Sequence, residues 1–187
     1  LVTLRHKLYF DFVEKVSVGA RQRRMQQMTR RMRLGRGVTV LDLGGLASIW
    51  RDAPGPLDVT LLNLPGTPMT AEVGEHRFSY LEGDACRVDG VHDKSYDMVF
   101  SNSVIEHVGP DEQQEAFAHE VRRLGRSYWV QTPAIWFPIE AHTGMPFWWF
   151  YPESLRQRFV RRWHDTLPDW ADEVNSTRVL TRERMQQ

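Results

Sequence analysis

The sequence predicts an α/β protein with a mostly parallel sheet of about five strands and helices on both faces. Two observations carry this prediction. Short aliphatic and β-branched runs alternate with helix-compatible or loop stretches, and the first run, Val38 to Leu43, passes straight into Gly44-Gly45. A parallel strand buried on both faces reads as such a run, and paired glycines at its end open a tight turn onto a helix.

The elements follow in chain order. Strands are expected at 38–43, 58–63, 77–81, 96–101 and 126–131. A helix is expected over 111–124, where Asp111 can cap it and Phe117, Val121 and Leu124 share one face. The link 64–76 contains Pro65, Gly66 and Pro68 and has room for a short helix at most. Beyond the fifth strand, 132–140 is broken by prolines. The aromatic block Phe147-Trp148-Trp149-Phe150-Tyr151 then leads into a helix from Glu153 to about Trp163, with Leu155, Phe159 and Trp163 on one side. Charged, helix-compatible sequence closes the chain, and no later run reads as a strong strand.

The 187 residues suffice for one well-buried domain and are too few for two comfortable ones. No apolar run reaches the roughly 20 residues of a membrane helix. A single cysteine, Cys86, excludes an internal disulfide framework, and the first residues lack the apolar core of a secretory signal, so a reducing, cytoplasmic setting is expected. Lysine plus arginine balance aspartate plus glutamate at 24 each, yet residues 1–37 are strongly basic. Such an arm suits nucleic acid or an anionic surface. It equally suits an amphipathic helix, and Met25, Met28 and Met32 at helical spacing between arginines favour that second reading.

Four separated segments resemble, in order, the motifs of class I S-adenosylmethionine-dependent methyltransferases. Leu41-Asp-Leu-Gly-Gly45 resembles the first motif, Asn63 at the end of the second strand the ribose position, and Glu82-Gly-Asp-Ala85 the adenine-side motif. Tyr96-Asp-Met-Val-Phe-Ser-Asn-Ser-Val-Ile-Glu-His-Val108, followed by a helix and Val130-Gln-Thr-Pro133, is similar to the type 11 methyltransferase branch. The resemblance covers about residues 38–152. It implies a three-layer Rossmann-like methyltransferase fold over 38–187, behind a basic helical arm at 1–37. The antiparallel hairpin that commonly completes that fold is not found before Gln187, so the domain is expected to be short at its C-terminal end.

The resemblance further implies a cofactor, S-adenosylmethionine, and a site for it. Gly44 and Gly45 would pack against its methionine part, with Asp42 orienting the loop or meeting the ammonium through water. Asn63 and the adjoining Leu64 would lie at the ribose, Asp84 and Ala85 at the adenine, and Ser101 and Asn102 near the reacting methyl. Two departures stand out. Leu46, Ala47 and Ser48 replace further glycines, and Asn63 stands where an acid usually grips the ribose diol without charge assistance here.

Methyl transfer is an in-line displacement, and a hydroxyl acceptor must also lose a proton. His107, Glu140 and His142 are the candidate catalytic groups, titrating or orienting near neutral pH. His107 reads equally as a helix-start residue bonded to backbone. Glu106, His107, Glu140 and His142 are also metal-ligand types, but Ser103 stands where some quinone-type relatives carry an additional glutamate, which argues against a metal. The aromatic block is a candidate lid for a planar acceptor, a packing surface, or a homodimer contact. The expected activity is methylation of a small molecule, at oxygen first. The rival is a non-catalytic cofactor- or nucleotide-binding module acting through protein contacts. A nucleic-acid substrate is disfavoured, because no Asn-Pro-Pro-Tyr or paired-cysteine signature accompanies the basic arm.

Overall fold

The computed structural model describes residues 19, 22–68, 74–140 and 142–186. A helix over 22–32 (α1) precedes β1 (Thr39–Leu43), β2 (Asp58–Asn63), β3 (Arg77–Glu82) and β4 (Tyr96–Asn102). Helix α2 (Asp111–Leu124) and β5 (Gly125–Gln131) follow, and then α3 (Glu153–His164) and α4 (Pro168–Ser176). The five strands form one sheet in the order β3-β2-β1-β4-β5, with every pairing parallel. The chain builds outward from β1 to β3 and then returns to place β4 on the other side of β1. The crevice of such a sheet lies where the order reverses, at the carboxyl ends of β1 and β4.

Strand alternation sends successive side chains to opposite faces. Leu41, Leu43 and Val99 pack with Phe117, Val121 and Leu124 of α2. Val40, Val59, Met98 and Phe100 pack on the other face with Trp50 and with Met25 and Met28 of α1. The buried methionines use the amphipathic side of this part of the basic arm, while Arg23, Arg24, Arg30 and Arg31 face solvent. The arm's residues 1–18 lie outside the described residues.

One junction is tighter than the sequence shows, and one element goes beyond the sequence reading. No loop separates α2 from β5: at Gly125 a Cβ would fall 2.5 Å from the Ser127 carbonyl and 2.9 Å from Val99 Cγ2, so glycine alone lets the helix turn directly into the strand. Helix α4 was not expected; Pro168 opens it at the position where a missing N–H costs nothing. Among the described residues no strand follows β5, although Ile139 and Pro146 form an isolated antiparallel bridge that closes the loop between them. The aromatic block begins a third cluster, in which Trp148 is buried against Phe159, Val160 and Trp163 of α3 and Ala171 and Val174 of α4.

Candidate active site

The turn after β1 is built around Asp42. Its register places it between Leu61 and Phe100 in the middle of the sheet, and no part of it reaches solvent. Oδ2 accepts a hydrogen bond from the Trp50 indole at 2.8 Å, while Oδ1 has no partner among the described residues. Burial pushes the carboxyl up to about 7, against the smaller opposing effect of the Trp50 bond. Gly45 is required by this arrangement, because a Cβ there would sit 1.8 Å from Asp42 Oδ2. Gly44 adopts φ 73°, and Val104 Cγ2 lies 2.7 Å from where its Cβ would be. Asn63 Nδ2 donates to the Gly45 carbonyl at 3.0 Å, and the buried Ser101 hydroxyl donates to the Leu43 carbonyl at 3.0 Å. Asp42, Asn63 and Ser101 thus brace the turn through their own bonds.

Beside it, a hollow of about 360 Å³ opens at the ends of β2 and β3, lined by Leu62, Leu81, Glu82, Gly83, Asp84 and Val88. Asp84 Oδ1 accepts the Cys86 N–H at 2.8 Å, which fixes the carboxylate at the exposed rim. Ala85 packs against the core below. Leu64 is 62% exposed at a smaller recess shared with Gly45, Leu46 and Asn63. Cys86 is buried, and burial first, then the Asp84 charge, pushes its thiol up to about 11, which suits a packing residue and not a nucleophile.

The second half of the site lies one turn beyond Val104, the residue that fills the space over Gly44. His107 N–H donates to the Val104 carbonyl at 2.8 Å, so the histidine is tied to the glycine turn through a single side chain. Its Nε2 stands 3.1 Å from Nε2 of His142, the rings meeting edge to face. His142 Nδ1 lies 2.7 Å from Glu140 Oε1, and Glu140 Oε2 accepts the backbone N–H groups of His142 and Thr143 at 2.9 and 2.6 Å. Burial opposes the Glu140 charge, but these donors outweigh it and hold the carboxyl below its ordinary value. The same bond to Glu140 holds the His142 imidazole above its ordinary value, against the effect of its own burial. Glu106 is fully buried; Thr132 Oγ1 donates to its Oε2 at 2.9 Å, and Oε1 has no partner among the described residues.

The structure therefore gathers His107, Glu140 and His142 into one cluster and Gly44, Gly45, Asn63, Leu64, Asp84 and Ala85 along the adjoining edge, with Asn102 half-buried at the end of β4. It turns Asp42 and Ser101 inward. Sequence reasoning missed Trp50, Thr132, Trp170 and Thr177. Trp170 Nε1 donates to the His142 carbonyl at 3.0 Å, and Thr177 Oγ1 lies 3.5 Å from His107 Nδ1. Only the apolar spacing of α3 pointed toward this packing, and nothing local marked the two contacts.

Residues 44–127 match the family model of a methyltransferase domain. The chain is similar to methyltransferase domains over 84 of its 187 residues, and its parallel sheet with flanking helices is a Rossmann-like methyltransferase fold. Solved structures of low identity include a SAM-dependent methyltransferase from Methanosarcina mazei, 15% identical, with 52% of this chain and 53% of that chain covered at a TM-score of 0.39. Another is a protein described as an S-adenosyl-L-methionine-dependent methyltransferase from Methanococcus maripaludis, 12% identical, with 96% and 78% covered at 0.49. The chain spans about half the length of the Methanosarcina protein. No curated protein matches it. No described helix is long and apolar enough to cross a membrane.

The residues present suit S-adenosylmethionine. Its nucleoside needs an apolar slot with a polar rim, and the hollow floored by Leu62 and Leu81 and edged by Asp84 and Glu82 has that character. Its methionine end needs close backbone approach, which the glycine turn offers; Asp42, sealed against Trp50, offers shape and no exposed charge.

Proposed function

We propose that this methyltransferase methylates a small-molecule acceptor at oxygen, with Asp84 and Ala85 holding the adenine, Asn63 and Leu64 flanking the ribose, and Gly44, Gly45 and Asn102 lining the methionine end. Asp42 and Ser101 belong to the same site as its bracing. Bound there, S-adenosylmethionine supplies an electrophilic methyl on a sulfonium. The single observation that carries the reading is the histidine pair braced on Glu140, one turn from the glycine loop. With His142 Nδ1–H donating to the Glu140 carboxylate, His142 Nε2 accepts from His107 Nε2–H; an acceptor's hydroxyl proton taken at His107 Nδ1 then sends the Nε2 proton to His142, whose positive charge lies beside that carboxylate.

Trp136, Phe137, Phe147 and Phe150 remain exposed, and the Trp136 and Phe150 rings lie 4.8 Å apart. This face favours an apolar or planar acceptor, which aromatic walls shield from water. The absence of a membrane-length helix among the described residues and the single buried cysteine support a cytoplasmic setting.

Calorimetric titration of S-adenosylhomocysteine into wild type and Asp84→Ala tests the cofactor half. Micromolar binding that weakens at least tenfold in the variant is expected; an unbound, folded wild type would sink the reading. Glu140→Gln tests the acceptor half: binding of S-adenosylhomocysteine stays within twofold while turnover in an acceptor screen falls on the order of 100-fold. Cofactor binding without turnover on any acceptor would favour the non-catalytic module, for which the inward-turned Asp42 and the neutral Asn63 amide, tied to the Gly45 carbonyl, speak.

A further inference from the structure

We infer that Glu106, His107 and His142 form a binding site for one divalent first-row transition-metal ion. One ligand atom from each residue lies within 4.8 Å of the others. The two imidazoles present Nε2 to Nε2 at 3.1 Å. Two nitrogens bound to one ion at about 2.1 Å would be separated by about 3.0 Å at a right angle and about 3.4 Å at a tetrahedral angle, so the rings already stand at the span of neighbouring ligands.

The Glu106 Oε1, without a partner among the described residues, is an independent observation. Glu106 is 0% exposed, and a carboxylate oxygen sealed from water without a donor costs several kcal/mol, which an ion in the cluster would offset. The surrounding bonds have the form that ligands need. Glu140 Oε1 at Nδ1 of His142 orients that ring with Nε2 directed at the cluster, and Thr132 fixes the other oxygen of Glu106. Two imidazoles and one carboxylate suit zinc, cobalt, manganese or iron(II), whereas magnesium and calcium prefer oxygen throughout.

The sequence argued against a metal because Ser103 offers no carboxylate before the Glu-His pair. The third donor comes instead from the loop after β5, 35 residues beyond His107. Three protein ligands leave positions for water or an acceptor oxygen. With the ion bound, both Nε2 lone pairs would belong to it, so the base role proposed above applies to the ion-free pair and a bound ion would instead supply Lewis-acid polarisation of the acceptor. That consequence rests on the methyltransferase reading; metal binding itself does not.

The test is titration of Zn²⁺ and Co²⁺ into the chelator-treated full chain, by calorimetry and by cobalt absorption. One equivalent with micromolar or tighter affinity is expected, together with visible cobalt bands. His107→Ala and His142→Ala should each weaken binding at least 100-fold and abolish the bands. Glu140→Gln, which touches the ion only through His142, should weaken it about 10- to 100-fold. His119→Ala, an exposed histidine on α2, should change nothing. Circular dichroism confirms that each variant is folded. Failure of folded wild type to bind, or equal loss in the His119 variant, overturns the site. S-adenosylhomocysteine titrated into the same samples separates the two claims: metal binding without cofactor binding rejects the methyltransferase reading alone, and the converse rejects the metal alone.

Discussion

A carboxyl group sealed into the centre of a sheet, as Asp42 is, makes stability depend on pH in a direction opposite to that of most acids. Its folded value of about 7 lies above the ordinary 3.8. Between those values the unfolded chain has released a proton that the folded chain keeps. The contribution is therefore fully present below about pH 4 and is lost as pH rises through 7, a few kcal/mol in all. Asp42→Asn keeps an acceptor for Trp50 and removes the titration. Urea midpoints should show the variant gaining on wild type by about 1–3 kcal/mol from pH 5 to pH 8. A constant difference across that range would mean the carboxyl is not held neutral. The sequence put Asp42 near the strand end and left it two roles, orienting the loop or meeting the ammonium through water; nothing in the spacing shows that Trp50 folds back over it.

At the scale of elements, the segment between β3 and β4 is fastened by one arginine. Arg123 on α2 bonds the Val88 and Val91 carbonyls at 2.8 and 2.7 Å and Asp93 at 3.1 Å, and pairs with Glu120 at 2.6 Å. Glu120, which is buried, also accepts the Val88 N–H at 3.0 Å. Arg123→Ala leaves that carboxylate without its cation and frees the loop that floors the proposed adenine slot at Val88. A loss of about 2–4 kcal/mol is expected, less than a fully buried pair would cost because Arg123 keeps some solvent contact. The melting temperature should fall by roughly 5–12 °C. Glu120→Ala combined with Arg123→Ala should cost less than the two single losses added together. The strands around this fastening were legible because parallel strands buried on both faces spell continuous apolar runs, as 58–63 and 96–101 do. Helix α2 was legible for its one-sided Phe117, Val121 and Leu124. Helix α4 was not, since only Ala171 and Val174 of its nine residues are buried, too few to show a period. His107, Glu140 and His142 were each named from sequence, but the contact between two loops that joins them has no local signature.

At the scale of the molecule, the sheet core and the C-terminal aromatic cluster are separate hydrophobic units, and the histidine pair spans the junction. The junction is narrow. Arg178 N–H donates to the Glu106 carbonyl at 2.7 Å, Gln114 bonds the Arg178 carbonyl at 2.9 Å, Leu180 enters the sheet core, and Trp170 holds the His142 carbonyl. Trp148, 2% exposed, fills the centre of the aromatic cluster with its ring 5.4 Å from that of Trp163 and 6.1 Å from that of Phe159. Truncating such a residue costs about 3–5 kcal/mol, and here the loss falls on the smaller unit. Units joined by few contacts open separately when one is weakened. Trp148→Ala should therefore melt in two steps, near-ultraviolet dichroism and amide protection over 148–176 being lost before the sheet unfolds. Since His142 hangs from Trp170 while Asp84 and the glycine turn belong to the sheet, this variant should lose the histidine cluster and any ion it holds. It should still bind S-adenosylhomocysteine within about threefold of wild type. A single cooperative transition, with both ligands lost together, would show that the cluster and the sheet fold as one unit, and that the cofactor edge depends on the aromatic core as much as the histidines do.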